Sequence, residues 1–487
     1  MGPGLVVMVA DNDAGGISVY AQAGQEHGLS LVWLLLLLAP VLYVVQEMVA
    51  RLGAVTGAGH ARLIYERFGR RWAYFALSDL LVLNVLTIVT EFIGVALALG
   101  YFGVSRYVSV PIAAVALILV SGVGSFRRWE QAMYILVALS LIGIPLLAFG
   151  AMHGSIGQPA INVGTATQSN GGFLLLIVAI VGTTVAPWQL FFQQSSVVDK
   201  RITARWLVFE RIDLGVGVVL FTVGAVAVLL TTAVVLSGSG LAFGDAGQVA
   251  SGLRDRLGWG VGALFAIALL DGSVLGAAAV TLANSYAIGD IFGVKHSLHR
   301  RWHDATTFYA VFAGSLALAA IIVLAPHAPL GLVTLGVQAL GGVLLPSATI
   351  FLLLLCNDRA ILGPHTNPRW LNITAYVVVG LLIEMSAMLT LTTMFRSLNL
   401  VPLVVGMNLG LGLCLAALGL HSWARPNPPA LKASRWEKAA WSMPPFESLP
   451  HPARSWARST GLVVLRIYLL AAAAVVVARV VQAIVGG

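Results

Sequence analysis

The chain has 487 residues, 59% of them hydrophobic and only 10% charged, with a mean hydropathy of +0.91. Soluble domains carry about 25% charged residues, so a soluble enzyme is excluded and a polytopic membrane protein expected. The net charge of +8 would suit a nucleic-acid partner, but the placement of that charge along the chain assigns it elsewhere.

The first apolar run, residues 3–23, is interrupted by Asp11-Asn12-Asp13-Ala14-Gly15-Gly16. It lacks a basic leader, so no cleavable signal peptide is expected. An Asp at the bilayer centre costs ~2.5–3.5 kcal/mol or more. The glycine pair admits backbone conformations that a helix does not use. An unwound acidic turn at that depth is tolerated only where it lines a cavity, so a cation site on a broken helix is expected. Further apolar runs follow at 29–50, 74–103, 108–125, 132–152, 172–197, 206–237, 259–291, 306–326, 329–356, 371–395, 399–422 and 461–484. Most reach the ~20 residues a crossing helix needs. The last carries Arg466 and Arg479 and either crosses or packs peripherally. Cys356 and Cys414 both lie in apolar runs, which argues against disulfides or a cysteine-type zinc site.

With the amino terminus in the cytoplasm, alternating sides puts most of the 28 lysines and arginines in cytoplasmic segments, as the positive-inside rule requires. Apart from the two arginines of the last run, only Arg106, Arg254, Arg256 and Arg396 fall outside. The inner (plasma) membrane is the expected location, the lipid bilayer accounts for the basic charge, and nucleic acid is not needed. Glu47, Asp79, Glu210 and Asp213 sit near cytoplasmic ends, where salt bridges with nearby arginines are expected.

The sixth run carries Gly182-Thr183-Thr184-Val185-Ala186-Pro187-Trp188-Gln189. Proline frees carbonyls that need other partners. An ordinary kink would account for that alone, but interrupted first and sixth helices occupy matching places in two five-helix halves. That is the pointer to an inverted-repeat transporter with its site at the midplane. The expected organisation is a first repeat at 2–152, a second at 172–356, additional helices at 371–422, a cytoplasmic interfacial linker at 424–460 and a C-terminal helix at 461–484. The stretch 153–171 reads as an uncharged polar extracellular loop.

Several ordered motifs carry a resemblance. Gly2-Pro3, Asp13-Ala14-Gly15-Gly16 and Gln22-Ala23-Gly24 resemble the first helix of the Nramp divalent-metal transporters, whose pattern is Gly-Pro, then Asp-Pro-Gly-Asn, then Gln-Ala-Gly. Helix six resembles the family's Met-Pro-His stretch, and Glu91-Phe92-Ile93-Gly94 its Glu-x-Ile-Gly pattern. Gln338 through Pro346 to Asn357-Asp358-Arg359 and Asn367-Pro368-Arg369-Trp370 resemble helix ten and its following loop. The resemblance spans roughly 2–395 and implies an all-α LeuT-type fold and alternating access for a divalent cation.

On that resemblance Asp13 stands at the family's metal-binding Asp, while Gly16 replaces an Asn ligand and Ala186 a Met ligand. Trp188 replaces a His, and Ile88 an acidic residue three before Glu91. Ala10 and Thr183 match positions of backbone-carbonyl contact. Asp11 supplies a second carboxylate; its plainer role is a vestibule acid. Oxygen ligands suit Mg²⁺, Ca²⁺ and Mn²⁺, whereas a thioether selects softer ions. Mg²⁺ usually keeps several waters on one or two carboxylates. The pattern resembles the Nramp-related magnesium transporters, with Gln189, Gln338, Thr184 and Trp188 as outer contacts to a hydrated ion. For the two glutamines, interhelical hydrogen bonding is the alternative.

Glu91 and Asp271 are mid-span acids expected along the ion route. With the His and one acid lost, the family's proton relay is incomplete, so uncoupled Mg²⁺ entry, with Mn²⁺ also carried, is expected. Proton-coupled Mn²⁺/Fe²⁺ symport is the alternative, and an organic-solute carrier of the same fold a weaker one. The transported ion is substrate and no cofactor is expected. No His-Glu-x-x-His or nucleophile elbow suggests an enzyme. Oligomeric state is left open, a monomer being compatible with the sequence.

Overall fold

The computed structural model describes residues 2–122, 124–153, 170–238, 240, 242–325, 330–394, 400–424, 434–450 and 456–485. Residues 154–169 of the polar loop expected at 153–171, Arg396, and residues 425–433 and 451–455 of the 424–460 linker lie outside them. Every described element is helical. In chain order they are α1 (Pro3–Ala10), α2 (Ala14–His27), α3 (Val32–Thr56), α4 (His60–Phe68), α5 (Arg70–Tyr101), α6 (Arg106–Ser121), α7 (Phe126–His153), α8 (Asn170–Thr184), α9 (Pro187–Asp199) and α10 (Leu207–Leu236). They continue with α11 (Ala246–Leu257), α12 (Trp259–Phe292), α13 (Thr306–Leu324), α14 (Leu330–Cys356), α15 (Arg359–Leu362), α16 (Arg369–Met394), α17 (Leu400–Ala424), α18 (Arg435–Ala440) and α19 (Trp456–Val485).

Among the described residues, eight helical stretches are long and apolar enough to cross a membrane. The first span is not one of them, because its apolar run is split into α1 and α2. The sixth is likewise broken, between α8 and α9. Proline at the first turn of α9 fits there without cost, since that amide has no helical partner anyway. The short amphipathic helices α4 and α11 arise outside the apolar runs.

Both broken spans occupy the interior. All eight residues of α1 are buried, against α7, α9, α10 and α12, while α2 packs on α5, α8, α10 and α14. Small residues permit this closeness, as is common between membrane helices. A Cβ on Gly4 would lie 2.8 Å from Leu214 Cδ2, and one on Gly217 2.8 Å from Met8 Cβ. Gly182 of α8 packs directly on the backbone of Gln338 and Gly342 in α14.

The last apolar run packs on the bundle flank. α19 lies against α14 and α16, with Tyr468 Oη donating to Ser386 Oγ at 2.9 Å and Arg466 over the Phe75 ring. The described part of the linker folds under the end of α3 and α4. Its Met443 amide reaches the Val55 carbonyl at 3.2 Å, and Arg67 donates to the Pro450 carbonyl at 2.8 Å.

Of the four acids expected to pair with arginines, only Glu47 does so among the described residues, with Arg51 and Arg211. Asp213 instead caps the amino end of α1, accepting from the Gly2 amide at 2.7 Å and the Leu5 amide at 2.9 Å. Glu210 accepts from Gln193 Nε2 at 2.9 Å, and Asp79 lies beside Ser347 of α14 in a small cavity. Unpaired helix amides compete for nearby carboxylates, and at Asp213 they took precedence over arginine.

Candidate metal centre

The break in the first span forms the centre. Asp13 has an extended backbone, and its Oδ1 accepts the Gly16 amide at 2.7 Å, the bond of a helix N-cap. The same carboxylate therefore caps α2 and stands within the bundle, 2% exposed. Asp11 is fully buried: Oδ1 accepts a short hydrogen bond from Gln189 Nε2, and Oδ2 has no partner. Gln189 is itself oriented by Gln46 of α3, whose Nε2 donates to Gln189 Oε1 at 2.9 Å.

Glu91 of α5 arrives from the other side. Its Oε2 accepts the Ala14 amide at 3.0 Å, while Oε1 has no partner. Gly276 of α12 lies beneath both acids: a Cβ there would come within 2.8 Å of Asp13 Cβ and of Glu91 Oε2. Three buried carboxylates thus gather around one three-residue break. None of the ion pairs among the described residues includes any of them.

The break in the sixth span supplies the facing wall. Gly16 faces Thr183, whose unpartnered hydroxyl would lie 3.3 Å from a Cβ on that glycine, with the Asp11 carbonyl at 3.1 Å. Thr184 is engaged, donating to Ile180 O at 2.7 Å and meeting Tyr20 Oη at 3.1 Å. Ala186 is extended, with φ −91° and ψ 143°, and puts only a methyl group at the break. Trp188 is buried, its indole N–H without a partner. Ala10 is the buried last residue of α1. Gln338 of α14 packs on Gly15, its Nε2 3.5 Å from Thr90 Oγ1.

Asp271 is placed differently. Its carboxylate accepts a short bond from Ser140 of α7, and only the adjacent Gly272 touches the break, beneath the Asn12 carbonyl. Sequence reasoning missed Gln46 and Asn12. Asn12 Nδ2 donates to the Phe221 carbonyl of α10 at 3.3 Å and so ties the break to that helix. A glutamine inside the run 29–50 was the available signal for Gln46.

Residues 4–392 match the family described as natural resistance-associated macrophage protein-like, Nramp. The chain belongs to the Nramp family. Among curated Nramp relatives it is 27% identical over 412 residues to the divalent metal cation transporter MntH of Levilactobacillus brevis, covering 81% of this chain and 89% of that protein. It is 28% identical over 408 residues to MntH 1 of Pseudomonas aeruginosa, covering 78% and 89%. The solved manganese transporter of Eremococcus coleocola superposes with a TM-score of 0.65 at 20% identity, over 87% of this chain and 93% of that one. That likeness carries the fold, the all-α LeuT-type architecture with both broken spans at its core. Within this Nramp chain, no group of three or more His, Cys, Asp or Glu among the described residues is placed so that it could hold a metal ion by itself. The oxygens of Asp11, Asp13, Glu91 and Thr183 instead lie buried at the break, among them unpartnered atoms of Asp11, Glu91 and Thr183.

Proposed function

We propose that this Nramp-family protein carries hydrated divalent cations, Mg²⁺ foremost and Mn²⁺ as well, into the cell by alternating access. The observation that carries the reading is the gathering of Asp11, Asp13 and Glu91 at the helix break with no cationic side chain among the described residues paired to them. An uncompensated buried charge costs several kcal/mol, and a divalent ion offsets it while needing no basic residue. Apart from the indole N–H of Trp188, the polar side chains bordering the break offer oxygen or amide, and Ala186 and Gly16 stand where the resemblance puts a thioether and an amide. Hard ions prefer such oxygens, and Mg²⁺ usually keeps several waters on one or two carboxylates.

Entry is proposed to run without proton coupling, because Trp188 and Ile88 stand at two positions of the family's relay. The membrane potential supplies ~2.3 kcal/mol per charge per 100 mV, and a divalent ion gains twice that. The amino terminus and the basic loops are assigned to the cytoplasmic side of the plasma membrane, with 2–152 and 172–356 as the two repeats. Asp271, held by Ser140, is assigned to the ion route rather than to the ion's contacts. The second reading, proton-coupled Mn²⁺ symport, draws on Glu91, which remains beside Asp13.

Proteoliposome uptake tests both. Mg²⁺ and Mn²⁺ entry are recorded with internal pH for the wild type and Asp13→Ala. Mg²⁺ entry without acidification, lost in the variant, is expected. Mn²⁺ entry with acidification and no Mg²⁺ flux would replace the proposal with the second reading.

A further inference from the structure

Away from the metal centre, at the bundle end where α9 and α12 terminate, a cavity of about 580 Å³ opens to solvent. Arg201, Lys295, His299 and Arg300 line it, with Asp304 as the one carboxylate. Among the described residues, no ion pair or side-chain hydrogen bond engages Arg201, Lys295 or Arg300. Their neighbour Lys200, by contrast, is bonded to Glu130.

The cations are held by a built frame. Partly buried beneath the loop, Asp199 at the end of α9 accepts from Ser297 Oγ at 2.5 Å, the Leu298 amide at 3.0 Å and Tyr286 Oη at 2.7 Å. Tyr309 Oη donates to the Arg300 carbonyl at 2.8 Å, and the His299 ring stacks on Phe126 with centroids 5.4 Å apart. From the α6–α7 turn, Gly124 presses on Arg301, where a Cβ would lie 2.7 Å from Arg301 Cγ. Backbone and rings are thus fixed while the charged ends stay unpaired.

Arg201 adds a second observation. With φ +59° it is the one non-glycine residue at positive φ among the described residues. Its amide bonds Val198 O at 2.9 Å and the next amide bonds Val197 O at 3.0 Å, closing α9 in the motif where glycine is usual. An arginine kept in a conformation that disfavours side chains puts its guanidinium into the cavity. Exposed Trp302 flanks the loop, and tryptophan is enriched where protein meets the membrane–water interface.

We propose that this cavity binds a phosphate group, with Arg201, Lys295 and Arg300 as its cationic donors. Guanidinium and ammonium groups are the natural partners of phosphate oxygens, and basic pockets between membrane helices take anionic headgroups. A phosphate there joins the end of α9 to the loop leaving α12. The ligand is either a lipid phosphate or a soluble one, and the site stands apart from the identity of the transported ion.

The test uses the full chain in two arms. In nanodiscs of phosphatidylcholine with a minor fraction of phosphatidic acid, lipid retained by the protein is counted by native mass spectrometry. In detergent, the thermal midpoint is followed with sodium phosphate against sodium chloride at equal ionic strength. Each lost cation should weaken retention about fivefold, and Arg201→Gly/Lys295→Ala/Arg300→Ala together by more than tenfold. Asp304→Asn should strengthen it. Arg201→Gly puts the favoured residue at that backbone position, so it should keep its midpoint without phosphate while losing affinity; it decides the matter if the triple variant fails to fold. Loss in the first arm alone assigns the lipid, and in the second alone a soluble phosphate. Equal behaviour of wild type and Arg201→Gly in both arms overturns the proposal.

Discussion

The Asp213 carboxylate holds the Gly2 amide at 2.7 Å, and its other oxygen holds the Leu5 amide at 2.9 Å. These amides belong to the free, electropositive end of α1, so one side chain of α10 fastens the first half-helix to the bundle. Hydrogen bonds to a charged group contribute about 1.5–3 kcal/mol each. Asp213→Ala should therefore release α1 at least tenfold more often. The readout is thiol labelling of Val7→Cys, a fully buried position, in a Cys414→Ser background. Labelling at the wild-type rate would remove Asp213 from any role in holding α1.

Asp13 serves both the helix and the ion, and the two roles separate by substitution. Asp13→Asn keeps an N-cap of nearly equal quality, whereas Asp13→Ala loses about 1 kcal/mol of stability. Both should abolish divalent uptake. Robust transport by the Asn variant would mean that capping is the residue's whole contribution.

Gln46 orients Gln189, and Gln189 donates to Asp11. Glutamate at position 46 accepts but does not donate when ionised, so Gln46→Glu should turn the Gln189 amide and aim its oxygen at Asp11. Loss of a partner one step removed from a metal typically costs 10–100-fold in affinity or activity. Uptake KM for Mn²⁺ should rise about tenfold in Gln46→Glu and less in Gln46→Leu. The reverse ranking would contradict the relay.

Gly276 leaves room for two acids at once. A methyl there meets Asp13 Cβ and Glu91 Oε2 at 2.8 Å each, so Gly276→Ala should cut uptake severely while membrane insertion stays normal. Unimpaired uptake would show that the two side chains move apart freely.

Near the cavity proposed for phosphate, His296 Nε2 meets Asp290 Oδ1 at 3.1 Å and its Nδ1 meets the Val294 carbonyl at 2.7 Å. Burial opposes the charge on His296, but Asp290 and that carbonyl, with Asp199 nearby, outweigh it and raise the group above its ordinary value. A raised histidine contributes stability that is fully present below about pH 6.5 and lost as pH climbs past the raised value. His60, buried on α4 against Gln194, is pushed down to about 4 and has the opposite sign, losing stability as pH falls. The difference between wild type and His296→Gln isolates the first effect. The wild-type advantage in thermal midpoint should shrink between pH 6 and pH 8, and a constant difference would show that His296 binds its proton equally in the folded and unfolded states, with no raised value.

The two breaks were legible because charge and proline inside apolar runs have few affordable structures. Asp11 and Asp13 could be placed at a helix break on that ground alone, while Thr183 rested on the family resemblance, and the thirteen apolar runs all became helices. Partner choice was not legible. Asp213 sits one turn from arginines in the sequence, yet the amides it serves are Gly2 and Leu5, brought to it only by packing. Asp271 reads as an acid of the ion route, but whether it meets the break or Ser140 depends on how α12 is rotated. Gln46 carries a polar group in an apolar run, and nothing local says that it ends on Gln189.

The isolation of α1 has a consequence for how the protein is made. Its eight residues touch no open surface, and the acidic turn behind it is poorly suited to lipid. The carboxylate that caps it lies 211 residues further along the chain. When the ribosome has released only the first span, neither Asp213 nor the glycines of α10 and α12 yet exist to receive it. This segment must therefore wait, at the insertion machinery or half-seated, until α10 and α12 have been synthesised, so a span made before them reaches its place only after them.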